Sequence, residues 1–412
     1  MGEEVKLPKY VIYDVVFEGM SLNYDEGVGN IQELKKIVMP NGLAHTMMSR
    51  YALRYSILET MESLGGKGFA DPNVFTQIKG HRGGNQAAVI QVDFNKIIDG
   101  TILEYQEFCL FGFLVTDPQI QRENPVKISH AISLTPFNND ILFYANHSFA
   151  KRFMKKEKNA KLEPSPFNKE EHYTFYGYTV IVDVEKIRKF EFTSEVDKKV
   201  LLGIITTEKE IKDFFNEPKN INENVYLKVT EHKSEERYIV DVMYKLSDDK
   251  IKELLKDLES AILHLKRNHQ GRQEDLKPKI VIKQEIYDDN NNSCFYQTYL
   301  DRIRISNTYT EQVDIREEKK SDNTTSYTTK KQIIRGIEFF CNVPNDSTSI
   351  SLEQYLKTSY SKSENHNNNN HKNKTILVVD GFIDNSSMLS GEEQTWLLNS
   401  RFVSAKLKLK KV

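Results

Sequence analysis

Tyr10–Phe17 reads YVIYDVVF, and every residue in it except Asp14 is β-branched or aromatic. Such side chains fit a pleated, packed surface, so the stretch is expected to be a core strand. A polar loop with two glycines follows, SLNYDEGVGN (21–30), and leads into IQELKKIV (31–38). From Thr46 to Leu64 the spacing of Leu53, Ile57, Met61 and Leu64 predicts a helix, with Ser49 as N-cap and Gly65-Gly66 as the stop. Strand, loop, helix is the opening of many α/β units.

Working outward, GGKGFADP (65–72), KGHRGGNQ (79–86) and AAVIQVDF (87–94) suggest a glycine-rich excursion closed by a strand. Phe108–Thr116 and Val126–Leu134 are expected as two further strands. The composition then turns basic and loop-like from Asn138 to Lys169, with KRFMKKEKNAK (151–161) and EPSPF (163–167). This reads as an insertion between strands, although 151–161 equally suits a helix. Strand character returns in YTFYGYTVIVDV (173–184). A second helix is expected over Asp248–Arg267, where Ile251, Leu254, Leu255, Leu258, Ile262 and Leu265 form an apolar stripe. GRQEDLKP (271–278) and the strand KIVIKQEIY (279–287) come next. Two strand-helix-strand halves around an antiparallel sheet give an α+β, ferredoxin-like (RRM-like) core. Beyond 287, DDNNNS, REEKKSDNTTSYTTKK (316–331) and SENHNNNNHKN (363–373) are too polar to bury a core and read as mobile loops between short strands such as IEFFCNV and TILVVDGF. The tail RFVSAKLKLKKV alternates basic and apolar residues as an edge strand does.

The 412 residues suffice for one to three units, and 57 Lys and Arg against 59 Asp and Glu leave a net charge of −2. That balance excludes a histone-like polycation, so any phosphate-binding site must be a local patch. Cys109, Cys294 and Cys341 are odd in number and lack CxxC spacing, which implies neither a disulfide framework nor a zinc site and fits a reducing cytoplasm. MGEEVKLPKY lacks the pattern of a signal peptide, and Phe108–Val115 is too short to cross a bilayer, so a soluble protein is expected.

Arg50 and Arg54 lie one helical turn apart beside Ser49 and the first amides of their helix, an arrangement that suits phosphate. The plain alternative is two solvated arginines on a helix face. Gly27 and Gly29 let backbone approach a ligand, with Lys35 and Lys36 in reach, but GK[ST] is missing, so this is no Walker loop. GHRGGN (80–85) places Arg82 in a flexible loop or an ordinary turn. His130, in KISHAISLTPF (127–137), lines a groove or the core more readily than it serves as a base. Met154, Lys155, Lys156 and Phe167 combine charge with apolar side chains that could wedge between bases, or form a solvated loop. The histidines of HNNNNH read as part of a polar tract rather than a metal site.

FEGMSLNYDEGVGNIQELKK (17–36), TMMSRYALRYSIL (46–58), CLFGFLVTD (109–117), KISHAISLTPFNND (127–140) and FYGYTVIVDV (175–184), in that order, resemble the DevR-type, Cas7-family backbone subunits of type I-B CRISPR effector (Cascade) complexes. The likeness continues more weakly through GRQEDLKPKIVI. It implies a hand-shaped fold: an RRM-like palm within 1–290, fingers at 65–105, a thumb at 138–172, and a C-terminal extension at 291–412. It implies a non-catalytic protein that polymerises along CRISPR RNA and presents it for pairing with target DNA. Implied partners are the RNA, the paired DNA strand, neighbouring copies, and Cas5-type, Cas8-type and Cas6-type subunits, with no cofactor or metal. By position it implies RNA contacts at Ser49, Arg50, Arg54 and His130, with Met154 and Phe167 as candidates for the wedge. Together with the residues read directly, the expected RNA contacts are Asn23, Gly27, Gly29, Asn30, Lys35, Lys36, Ser49, Arg50, Arg54, Arg82, Asn85, His130, Met154, Lys155, Phe167 and Arg272. Two other functions are open: a metal-dependent RNase using Asp25 with Glu26, and a DNA-binding transcriptional regulator.

Overall fold

A strand that is apolar without alternation belongs where both sheet faces are covered. That is the position of β1 (Tyr10–Met20), in which Val11 to Phe17 are buried in succession. The computed structural model describes residues 6–287 except 28, 83–84, 117, 157–165, 206–210, 212, 216 and 235, together with the backbone of strands at Ile303–Ile305, Thr310–Lys319, Thr325–Ile334, Ile337–Cys341, Lys374–Val379 and Lys408–Lys411.

After β1 come β2 (Ile31–Gln32), β3 (Lys36–Val38), β4 (Ala44–Met48) and α1 (Arg50–Ser63). A hairpin of β5 (Phe75–Arg82) and β6 (Asn85–Val92) leads to α2 (Phe94–Ile98), α3 (Gln106–Phe111), β7 (Phe113–Thr116), β8 (Gln119–Arg122), β9 (Val126–Ile128) and β10 (Ala131–Ser133). The insertion holds β11 (Asp140–Ala145), α4 (His147–Lys156) and β12 (Pro166–Glu171). Then follow β13 (Tyr173–Asp183), α5 (Val184–Arg188), β14 (Lys189–Asp197), α6 (Lys198–Ile204), β15 (Lys219–Asn222), β16 (Val225–Ser234) and β17 (Arg237–Lys245). The last fully described elements are α7 (Asp248–Leu263), the hairpin β18 (Lys266–His269) and β19 (Arg272–Asp275), and β20 (Pro278–Ile286).

The main sheet runs Lys374–Val379, β20, β1, β13, β10, β4, β3, with β9 also on β13, and its pairings are antiparallel. Helices α1 and α7 pack together, and Leu53, Ile57 and Met61 of one and Ile251, Leu254, Leu258 and Ile262 of the other join β1 in one core cluster. Each such aliphatic side chain contributes about 1.5–3 kcal/mol of burial. A second sheet, β14-β17-β16-β15, is built by strict alternation: Tyr238, Val240, Val242 and Tyr244 are buried and their neighbours are not. The chain is thus a mixed α/β protein.

Several boundaries differ from the sequence expectation. The first helix begins at Arg50, because Ala44–Met48 is paired as a strand with both β3 and β10. Phe108–Thr116 is not one strand: Gln106–Phe111 is helical, Gly112 breaks the run at φ 64°, and only Phe113–Thr116 is extended. Phe108 to Phe111 are all buried, so no polar side of the run reveals its period. A Cβ on Gly112 would stand 2.2 Å from the Arg122 carbonyl oxygen, which requires glycine there. Val126–Leu134 divides into β9 and β10, which meet different parts of β13 and leave Ser129 and His130 between them. The second helix stops at Leu263 because Lys266–His269 pairs as a strand with Arg272–Asp275. In the insertion, 147–156 is helical and 157–165 lies outside the described residues. The charged stretch expected as a loop supplies a paired hairpin, Thr310–Lys319 with Thr325–Ile334. The Asn/His run lies outside the described residues, while Lys408–Lys411 of the tail pairs in parallel with Glu338–Cys341. Among the described residues no helix is long and apolar enough to cross a membrane.

Candidate functional site

The start of α1 gathers Asn23, Ser49, Arg50 and His130. Ser49 is extended, with φ −64° and ψ 147°, and its hydroxyl accepts the Ala52 amide at 3.2 Å. Its own amide donates to Asn23 Oδ1 at 3.0 Å, and the Arg50 amide donates to His130 Nδ1 at 3.0 Å. A ring nitrogen that accepts cannot carry the proton, so neutral His130 holds its hydrogen on Nε2. Three amides at this helix start are therefore taken by protein acceptors. This corrects the expectation that they cradle an anion: the positive helix end and the Arg50 guanidinium remain. The first turn contains no acid, and Arg50 is exposed. Its guanidinium lies 5.0 Å over the Tyr51 ring and donates to the Tyr51 hydroxyl at 3.1 Å, and among the described residues it makes no ion pair.

Four other expected cations, Arg54, Lys36, Arg272 and Lys35, are occupied. Arg54 is half-buried, 3.2 Å from Glu107 Oε1 and 5.0 Å over the Phe111 ring. Burial pushes its pKa down while Glu107 opposes that shift. The second Glu107 oxygen accepts the Ala70 amide at 3.2 Å, so Arg54 ties α1 to α3 and the 67–70 loop. Lys36 meets buried Glu170 at 2.6 Å and lies 5.0 Å over Phe137. Arg272 sits 3.7 Å from both Glu171 and Glu274 and reaches the Ser21 carbonyl at 3.5 Å. These three side chains join segments of the fold, which their sequence context could not reveal because Glu107, Glu170 and Glu171 lie far along the chain.

Lys35 pairs with Asp25 at 2.9 Å. The Lys35 hydrogen bond, then the Glu26 amide, hold the Asp25 carboxyl below its usual range. A carboxylate already matched to an ammonium makes a poor metal ligand, which weighs against the RNase alternative. At Gly27 a Cβ would stand 2.8 Å from the Ile31 carbonyl oxygen, so that glycine serves the loop's own packing. Gly29 takes φ 60° in open space. The Asn30 carbonyl accepts the Asn168 amide at 2.8 Å and thereby joins the loop to β12.

In the insertion Phe167 is exposed and stacks on Tyr144 at 5.3 Å and 12°. Lys169 Nζ lies 5.5 Å over Phe167 and 5.3 Å over Tyr24. Met154 is half-buried and Lys155 exposed on α4, whose Phe149 and Phe153 are exposed as well. At the root of the insertion His172 bonds Thr46 at 2.7 Å and Thr135 at 3.3 Å, and burial, then nearby His45, pulls its pKa down. Arg82 and Asn85 are the last pair of the β5–β6 hairpin, and their side chains lie outside the described residues.

A family model described as CRISPR-associated negative auto-regulator DevR/Csa2 matches residues 11–326. Among solved structures, a chain of a "CRISPR RNA-guided surveillance complex" is 9% identical, with a TM-score of 0.35 and 69% of this chain and 72% of that one covered. A chain of a "CRISPR RNA-guided surveillance complex, pre-nicking" is 10% identical, with a TM-score of 0.39 and coverage of 69% and 80%. The comparison with curated proteins finds no match.

Proposed function

Because the chain belongs to the CRISPR-associated DevR/Csa2 family, we propose that it is a non-catalytic subunit of a type I-B surveillance complex that binds CRISPR RNA and presents it for pairing with target DNA. The order β20-β1-β13-β10, reached through the halves β1–α1–β10 and β13–α7–β20, supports an RRM-like palm. In this reading β5–β6 is the finger and β11–α4–β12 the thumb. Copies line up along one guide beside Cas5-type, Cas8-type and Cas6-type subunits.

The observation that carries the proposal is Arg50: an exposed guanidinium at an acid-free helix start, with no ion pair among the described residues. A phosphate there gains charge neutralisation without breaking any existing pair, and the His130 Nε2 hydrogen supplies a neutral donor beside it. Backbone contacts carry no sequence information, so base pairing does the reading. Arg50→Ala is expected to weaken single-stranded RNA binding for all guides alike and to lower the salt slope of log Kd by about one. Guide-selective loss, or an unchanged slope, overturns the role. Asp25→Ala is expected to leave bound RNA as intact as it is in the parent protein with magnesium present.

A further inference from the structure

We propose that Tyr51 and Tyr55 form a stacking platform for unpaired nucleobases beside the Arg50 phosphate contact, an inference that rests on the RNA-binding reading above. Both rings project into solvent, at 66% and 53% exposure, from a helix whose other face is core. They are four residues apart and therefore share one face, one turn from each other. Each ring is already held: Tyr51 by Arg50 at 5.0 Å, and Tyr55 by Phe69 at 5.0 Å with the planes tilted 42°. A ring fixed before binding loses little rotamer freedom when a base stacks on it.

The charge arrangement favours nucleic acid over an apolar protein face. A strand whose phosphate sits at Arg50 must carry its bases along or away from α1, and the tyrosines lie on the path along it. The cation over Tyr51 also adds to the attraction of that ring for a polarizable base. The platform is short. Glu59, one turn beyond Tyr55, presents a carboxylate that Asn268 approaches at 3.4 Å, and this closes the surface to further phosphates. Stacking accepts every base, so the platform adds affinity without reading sequence.

The test uses the full chain, a short single-stranded RNA with 2-aminopurine at successive positions, and the variants Tyr51→Leu, Tyr55→Leu and Tyr51→Phe. Each leucine variant is expected to bind about tenfold more weakly per ring removed, with an unchanged salt slope because no charge is lost. One 2-aminopurine position is expected to be quenched in the parent and Phe variants and bright in the Leu variants. Leucine variants that bind and quench like the parent overturn the platform while leaving RNA binding standing. Leucine variants that keep RNA affinity but lose self-association assign the face to a second protein copy and overturn it too. A parent protein that binds no RNA overturns both readings. The exposure of both rings predicts that the variants keep the parental melting temperature.

Discussion

Helices α1 and α7 share a core and a capping residue, yet they carry opposite charge at their first turns. Ser49 accepts the Ala52 amide at 3.2 Å, and Ser247 accepts the Lys250 amide at 3.3 Å, so both starts are closed by the same device. Helix α7 then places Asp248 and Asp249 against its positive end, and Asp248 pairs with Arg188. Helix α1 has no acid there and presents Arg50 to solvent. Acids in a first turn contribute about 0.3–1 kcal/mol each, which α1 forgoes. A helix that only packs has its dipole neutralised from within. One that keeps its positive end open has charge left for an outside anion.

The comparison breaks first where it should not hold at all, in the core. Leu53→Ala in α1 and Leu258→Ala in α7 both remove fully buried side chains, and each is expected to cost about 2–5 kcal/mol in chemical denaturation. A large inequality between them would show that the helices do not share one core. Arg50→Asp gives the sharpest contrast next: RNA affinity is expected to fall at least about tenfold while α1 gains roughly 0.3–1 kcal/mol from the new acid. Loss of both stability and binding would mean that Arg50 is structural.

Smaller effects refine the picture. Ser49→Ala and Ser247→Ala are expected to cost about 1 kcal/mol each, but only the first should alter RNA affinity. The smallest effect belongs to pH. Burial, then His45, lowers the His172 pKa from its ordinary 6.5, so the folded state favours the neutral ring. Its contribution is complete above about 6.5 and is lost as pH falls through the depressed folded value. Melts on either side of that value should show the slope, and His172→Gln should flatten it.

Legibility varied with the kind of signal. Ser49 before a helical run and glycine after it identify α1 to within a few residues, since caps act locally. In Phe108–Thr116 the apolar run hides its own period, and only Gly112 marks the break. The alternation in Arg237–Lys245 is a plain strand signature, and it belongs to a second sheet that a reading centred on the two halves passes over. At the site, Arg50 and Arg54 look equivalent in sequence. They differ because Glu107, 53 residues beyond Arg54, folds back onto only one of them.

The amino-acid order by itself settled that Tyr10–Phe17 is a core strand, where α1 is capped, and which residues could meet a phosphate, because propensity, capping and charge are properties of neighbours along the chain. Tertiary structure decided which cations remain available. Glu107, Glu170 and Glu171 take Arg54, Lys36 and Arg272, and His130 takes the Arg50 amide, across gaps that no local pattern encodes. Electrostatic pairing acts over a few ångströms of space, and only the fold determines which charges come that close.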